Sequence, residues 1–170
     1  MLNPPLPCYL PHMPVVALTD AAPLLPPRGV LIGLDLGTKT VGVATSDPDR
    51  RLATAVATIA RKKFSTDAEQ LLKLAAERQA VGFVLGLPLN MDGSEGPRAQ
   101  STRAFGRNLA ALTPLPIALW DERLSTAAVE RELIAADASR AKRKAVIDQH
   151  AAVFILQGAL DRLARLVSSG

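Results

Sequence analysis

Two short apolar runs separated by three residues constrain the fold more than any other feature of the sequence. They occur in "VLIGLDLGTKTVGVATSD", residues 30–47, where they flank "GTK". A link of three residues is too short for the crossover that parallel strands need. Residues 30–36 and 40–46 are therefore predicted to pair as an antiparallel hairpin.

The rest of the chain alternates strands and helices. A third strand is predicted over residues 52–59, followed by a helix over residues 65–80, where Thr66 and Glu69 have capping-box spacing. The later predicted elements are a strand at 81–88, a helix at about 98–112, a strand at 116–122 and a long helix at 145–166. This order predicts an α/β domain with helices flanking a five-stranded mixed sheet, in which strands 1–3 are antiparallel and the later strands parallel.

Residues 1–28 differ in composition from the rest. They hold eight of the thirteen prolines, and proline has no backbone N–H to donate to a helix or a sheet. The sequence therefore predicts two parts, a flexible proline-rich N-terminal extension over residues 1–28 and a folded domain over residues 29–170. Removing the extension is predicted to leave a folded, active domain.

Composition also narrows the compartment and the partners. Cys8 is the only cysteine, the chain start does not resemble a signal peptide, and no apolar run is long enough to cross a membrane. These features favour a cytoplasmic protein without a membrane partner. The formal net charge is +4, and basic residues cluster at 61–63 and 139–144, which favours an acidic polymer as partner.

Asp35 stands in the middle of an apolar predicted strand. Period-two alternation places Leu34 and Leu36 on one face and Gly33, Asp35 and Gly37 on the other. A carboxylate between positions without side chains leaves space for a bulky group to approach. An acid in such a strand also needs a partner.

Two further regions carry acids in unusual places. "ALWDERLST" ends a strand at Asp121 and Glu122, and alternation turns only one of the two toward the face that carries the site. Asp148 lies within about 40° of the apolar stripe of the last helix, which Ala152 and Ile155 help to form. Carboxylates converging from two strands and a helix are what Mg²⁺ or Mn²⁺ requires. Two such ions can hydrolyse a phosphodiester.

Four sequence blocks, in order, resemble the motifs of the YqgF (RuvX) family of Holliday-junction-resolvase-like proteins. They are "GLDLGTKTVGVATSD", "VLGLPLNMDGSEGPRA", "DERLST" and "DQHAAVFILQ", and the similarity covers roughly residues 29–163. The resemblance implies an RNase H-like fold and a metal-dependent nuclease that matures the 5′ end of pre-16S rRNA in ribosome biogenesis. It assigns the catalytic and metal-binding acids to Asp35, Glu122 and Asp148, and so favours Glu122 over Asp121.

Basic residues near these acids are predicted to contact nucleic acid. Lys39 follows the first strand, Arg98 stands near a helix start and Arg123 neighbours Glu122. A candidate mobile loop, "SRAKRK", adds Arg140, Lys142, Arg143 and Lys144. The expected partner is structured RNA or branched DNA, including pre-ribosomal particles.

Three other functions are compatible with parts of the sequence. Members of the family have also been discussed as resolvases of branched DNA. "GLDLGTKT" resembles the phosphate loop of actin- and Hsp70-like ATP-binding proteins, but these bind nucleotide between two such domains and this chain has the length of one. A non-catalytic nucleic-acid-binding module is the third alternative, although degenerate domains of that kind typically lose the acids that are present here.

Overall fold

The structure is a computed structural model that describes residues 15–124 and 140–168, with side chains described for 15–124 and 150–167. The described chain forms one six-stranded sheet in the order β1-β6-β5-β2-β3-β4. The strands are β1 (Val15–Ala17), β2 (Val30–Leu36), β3 (Thr40–Ser46), β4 (Ala53–Ala60), β5 (Ala80–Leu87) and β6 (Ile117–Asp121).

The sheet is mixed, as the sequence predicts. β2, β3 and β4 pair antiparallel, whereas β2, β5, β6 and β1 pair parallel. The predicted hairpin is confirmed, since β2 and β3 have the predicted bounds. The α/β fold class is therefore confirmed, but the predicted count of five strands was wrong.

The additional strand, β1, comes from the segment assigned to the proline-rich extension. It pairs with β6 and leads into a short helix, α1 (Leu18–Ala21), and a 3₁₀ turn, Ala22–Leu24. Leu18 and Ala21 are buried among core residues. The extension therefore contributes packed structure from residue 15 onward, whereas residues 1–14 lie outside the described part of the chain.

Helices cover both faces of the sheet. They are α2 (Phe64–Glu77), α3 (Pro97–Ala110) and α4 (Arg140–Ser168). Leu34 and Leu36 face α2 and α3, whereas Leu31 and Val84 pack with the α4 residues on the other side. No helix in the described ranges combines the length and apolarity needed to span a membrane.

Two helix starts differ from the prediction. Thr66 does not cap α2, which begins at Phe64; the buried Asp67 carboxylate instead accepts the Lys62 backbone N–H at 3.1 Å. α4 begins at Arg140, so the "SRAKRK" residues from 140 to 144 belong to its first turns. The predicted mobile loop was therefore wrong for residues 140–144.

Candidate functional site

Asp35 lies near the carboxyl end of β2 and is partly buried. Its strand packs closely against α4, because a β-carbon on Gly33 would lie only 2.6 Å from the Leu156 β-carbon. Residues two apart on a strand share a face, so Asp35 lies on the α4 side of the sheet. The period-two prediction for this strand is thus confirmed by the packing of Gly33, Leu34 and Leu36.

Glu122 follows β6 at the start of a 3₁₀ turn, Glu122–Leu124, and is partly buried. Its carboxylate reaches back over β5, since Oε1 lies 2.8 Å from the position of a β-carbon on Gly86. The same position lies 2.5 Å from Cδ1 of Ile155 on α4. The glutamate side chain therefore occupies the α4 face, over a glycine that has no side chain to block it.

The strand register places Asp35 and Glu122 beside each other. Leu34 pairs with Leu85, and Asp35 and Gly86 are the next residues along these two parallel strands. Adjacent strands lie about 4.8 Å apart. The Glu122 carboxylate consequently lies above the residue next to Asp35, on the same face, and the structure brings these two predicted acids together.

Asp148 lies on α4, one turn before Ala152. The Ala152 carbonyl oxygen lies 3.2 Å from the position of a β-carbon on Gly33, so this part of α4 crosses β2 two residues before Asp35. Ala152, Ile155 and Ala159 are buried, as the apolar stripe predicts. The Asp148 side chain itself lies outside the described residues, and its role stays a prediction.

The two described carboxylates fit a divalent cation. Carboxylate oxygens are the donors that Mg²⁺ and Mn²⁺ prefer, and the missing side chain at Gly86 leaves the space that Glu122 occupies beside Asp35. Within the ranges whose side chains are described, no group of three or more His, Cys, Asp or Glu residues gathers to hold a metal. Asp148 lies outside those ranges.

Asp121 serves a different purpose from Glu122. Its carboxylate binds the Arg123 guanidinium, with Nη2 donating to Oδ2 at 2.7 Å and Nε donating to Oδ1 at 3.1 Å. The hydrogen bond from Arg123 lowers the pKa of Asp121, against the opposing effect of burial. Asp121 is thus held by Arg123, whereas the Glu122 carboxylate lies over Gly86.

Arg123 connects the end of β6 to the loop at residues 88–96. Its Nη1 donates to the Met91 carbonyl oxygen at 3.2 Å. The loop closes through Asn90 N–H to the Ser94 carbonyl at 2.9 Å, and it turns at Gly93, where φ is +87°. The hydroxyl of Ser94 donates to Asp92 and lowers its pKa. Arg123, predicted to contact phosphate, is therefore held by Asp121 and Met91.

The other predicted nucleic-acid contacts lie on three elements. Lys39 is exposed on the β2–β3 turn, and Arg98 is exposed in the first turn of α3. Arg140, Lys142, Arg143 and Lys144 lie in the first turns of α4, but their side chains are outside the described residues.

Two residues matter here that the sequence analysis did not single out. Gly86 provides the space for Glu122, and its signal was available as a glycine within the apolar run "VLGLP". Arg61 was counted only as part of a basic run, yet its Nη1 donates to the Gly37 carbonyl at 2.7 Å and its backbone N–H to the Lys39 carbonyl at 2.8 Å. Arg61 thus holds the turn that follows Asp35.

The chain is similar to known proteins over most of its length. The family model "RuvX: Holliday junction resolvase" matches residues 29–162. A protein of Bradyrhizobium sp. (strain ORS 278), named "Putative pre-16S rRNA nuclease", is 73% identical over 157 residues, which cover 92% of this chain and 98% of the relative. A protein of Rhodopseudomonas palustris (strain TIE-1) with the same name is 76% identical over 152 residues, or 89% and 95% of the two chains.

A solved structure shows the same fold. RuvC of T. thermophilus, in complex with a Holliday junction substrate, matches with a TM-score of 0.50 and 12% identity. The match covers 80% of this chain and 96% of the RuvC chain. The expected RNase H-like fold is confirmed.

Proposed function

Because the chain belongs to the RuvX family, we propose that it is a nuclease that hydrolyses phosphodiester bonds in precursor 16S ribosomal RNA. Relatives that are 73% and 76% identical over nearly their whole length carry that name. The observation that supports the proposal in this chain is the position of the Glu122 carboxylate over Gly86, beside Asp35. Such a pair of acids is suited to phosphodiester chemistry.

Asp35, Glu122 and Asp148 are the proposed catalytic residues and metal ligands, and the proposed metal is Mg²⁺ or Mn²⁺, bound as two ions. When bound, these ions activate water and stabilise the leaving oxygen of a phosphodiester. The chain's own contribution is to fix the carboxylates. β2 and β5 set the spacing of Asp35 from Gly86, and Ile155 on α4 packs against the position over which Glu122 lies.

The proposed nucleic-acid contacts are basic residues. Lys39 and Arg98 are exposed and supply positive charge close to the carboxyl end of β2. Arg123 stays in the set as a prediction, because a guanidinium has five N–H donors and Asp121 and Met91 engage only part of them. The remaining members are the four basic residues at the start of α4, Arg140, Lys142, Arg143 and Lys144.

Branched DNA is the second candidate substrate, since the matching family is described as a Holliday junction resolvase. Charge does not discriminate between the two polymers, because both present phosphates to the same basic residues. We further propose that the protein acts in the cytoplasm and binds pre-ribosomal particles.

The deciding experiment measures cleavage of precursor 16S RNA and of a four-way DNA junction side by side, with Mg²⁺ or Mn²⁺ and with the Asp35→Asn protein as control. We expect metal-dependent cleavage of the RNA precursor that the Asp35→Asn protein lacks. Preferential cleavage of the junction would replace RNA processing by junction resolution. Metal-independent binding without cleavage would instead support a non-catalytic module, and ATP hydrolysis without nucleic acid would support an ATP-binding protein.

A further inference from the structure

A small basic cleft lies on the side of the sheet opposite the two carboxylates. It has a volume of about 170 Å³ and lies between the β2–β3 turn, at Gly37 and Thr38, and the first turns of α3, at Arg98 and Ser101. Arg61, at the end of β4, forms part of the wall. Leu36, at the base of the cleft, faces α2 and α3, whereas its neighbour Asp35 lies on the α4 face. We call this feature the arginine cleft.

The charge of the arginine cleft is entirely positive. Two of its lining residues, Arg61 and Arg98, carry positively charged guanidinium groups, and no lining residue is acidic. Within the described side chains, Arg98 makes no ion pair; its carbonyl oxygen accepts the Thr102 hydroxyl at 2.8 Å. Two like charges beside one cleft repel each other, and an anion between them removes that repulsion.

The chemistry of the arginine cleft suits a phosphate group. Arginine presents its N–H donors as a planar fork that matches phosphate oxygens, and Thr38 and Ser101 add hydroxyl groups. The volume is well below the ~300–1,000 Å³ of sites that enclose whole small-molecule ligands. The cleft therefore suits one phosphate group of a longer chain better than an entire nucleotide.

Arg61 also holds one wall of the cleft in place. Its side chain and its backbone bind the carbonyl oxygens of Gly37 and Lys39 at 2.7 Å and 2.8 Å. The wall is therefore organised before any ligand arrives, which lowers the entropy cost of binding.

We propose that the arginine cleft binds a backbone phosphate next to the phosphate that is cleaved. This inference rests on the proposed nuclease function, because it assumes that a nucleic-acid strand lies against Asp35. A strand that crosses the carboxyl end of β2 passes from the carboxylates, over the exposed turn at Thr38 and Lys39, to the cleft. The cleft then sets the register of the strand relative to the scissile bond.

The first test needs no cleavage. Inorganic phosphate is titrated into ¹⁵N-labelled protein without metal, and the amide shifts of Thr38, Arg98 and Ser101 are followed. We expect saturable shifts at these amides, with roughly tenfold weaker binding in the Arg98→Gln protein, because a charge-assisted contact is lost. Arg107→Gln, near the end of the same helix and exposed, is the matched control with unchanged binding. Absent or non-saturating shifts, or an equal loss in the control, would overturn the proposal.

The second test locates the phosphate that the cleft contacts along an RNA strand. A neutral methylphosphonate is moved one position at a time along a single-stranded RNA, and binding is measured for wild-type and Arg98→Gln proteins. We expect one position near the scissile bond at which neutralisation weakens wild-type binding but has no further effect in Arg98→Gln. If the RNA is cleaved but no position depends on Arg98 in this way, the proposed role of the cleft is refuted and the nuclease function is not. If one position depends on Arg98 but the RNA is not cleaved, the nuclease function is refuted and phosphate binding by the cleft is not.

Discussion

The carboxylate of Glu122 lies over Gly86, so closely that a β-carbon on the glycine would stand 2.8 Å from Oε1. Gly86 lies in the middle of the sheet, between β2, which carries Asp35, and β6, which leads to Glu122. The glycine thus decides whether the glutamate can approach Asp35. The role of Gly86 is to leave space for the Glu122 side chain.

Replacing Gly86 with alanine is predicted to displace Glu122. The added methyl group would also lie 2.5 Å from Cδ1 of Ile155, so α4 or the glutamate must move. Overpacking of this kind typically costs about 1–3 kcal/mol of stability. We expect nuclease activity to fall by more than the loss of folded protein explains. Thermal unfolding curves give the folded fraction, and the cleavage rate is then expressed per folded molecule.

Gly106→Ala is the matched control for this prediction. Gly106 is also buried, but it lies within α3 on the other face, and its added β-carbon would come no closer than 3.3 Å to a neighbour, the end of the Leu85 side chain. Alanine is about 1 kcal/mol better than glycine inside a helix, which offsets the tight contact. Normal activity in Gly86→Ala would show that Glu122 does not need its position over the glycine.

The three acids are predicted to bind metal, which can be measured as stabilisation. Any ligand that binds only the folded state raises the unfolding temperature. We expect Mn²⁺ to raise it in the wild type, but not in Asp35→Asn, Glu122→Gln or Asp148→Asn. Loss of a residue that only hydrogen-bonds to a metal ligand typically lowers activity by ~10–100-fold. We expect the cleavage rate of each of the three acid variants to fall by more than this.

Asp121→Asn is the internal control for the acid series. Asp121 neighbours Glu122 in sequence but binds Arg123 instead of lying over Gly86. We expect this variant to keep the Mn²⁺ response and most of its cleavage. A response lost in Asp121→Asn and kept in Glu122→Gln would reverse the assignment of the two acids.

Much of this arrangement was predictable, because it depends on local rules. The bounds of β2 and β3 follow from apolar runs and a three-residue link, and the face of Asp35 follows from period-two alternation. The position of Glu122 over Gly86 is different, since it joins residues 36 positions apart through the register of two parallel pairs. Sequence periodicity contains no information about that register.

The missed strand has another physical cause. β1 is only three residues long and stands between prolines, so local propensity is weak, and pairing with β6 together with the burial of Leu18 stabilises it. The capping box failed for a related reason. The Asp67 carboxylate binds the chain before α2, and the helix therefore starts before Thr66.

The N-terminal segment provides a prediction about stability. The composition of residues 1–28 predicts that they are dispensable, but Leu18 and Ala21 are buried and β1 pairs with β6. Removing residues 1–28 is therefore predicted to lower stability by at least the ~1.5–3 kcal/mol of one buried leucine. Removing residues 1–14 alone should change it less. Chemical denaturation of both truncated proteins measures the difference, and equal stability would show that β1 is unimportant.

The pair of Asp121 and Arg123 predicts a pH dependence. Its hydrogen bond lowers the pKa of Asp121 in the folded state, so the unfolded chain binds a proton more readily. The stability that this pair contributes is therefore complete above about pH 4, near the pKa of an aspartate in an unfolded chain. It is lost as the pH falls through the lower pKa that Asp121 has in the folded protein. The stability difference between wild type and Asp121→Asn should shrink below about pH 4. A constant difference across that range would exclude the linkage.

The basic residues in the first turns of α4 are predicted to bind phosphates. The salt dependence of nucleic-acid binding measures the number of these contacts. Neutralising Arg140, Lys142, Arg143 and Lys144 should flatten the plot of log affinity against log salt by up to ~0.9 per lost contact for duplex DNA and ~0.7 for single strands. A control with the same change in charge uses four exposed residues outside the first turns of α4, Lys73, Arg78, Arg107 and Arg162. Net charge alone would flatten both plots equally, whereas direct contacts flatten only the first. An unchanged slope in the α4 variant would mean that these side chains do not touch the nucleic acid.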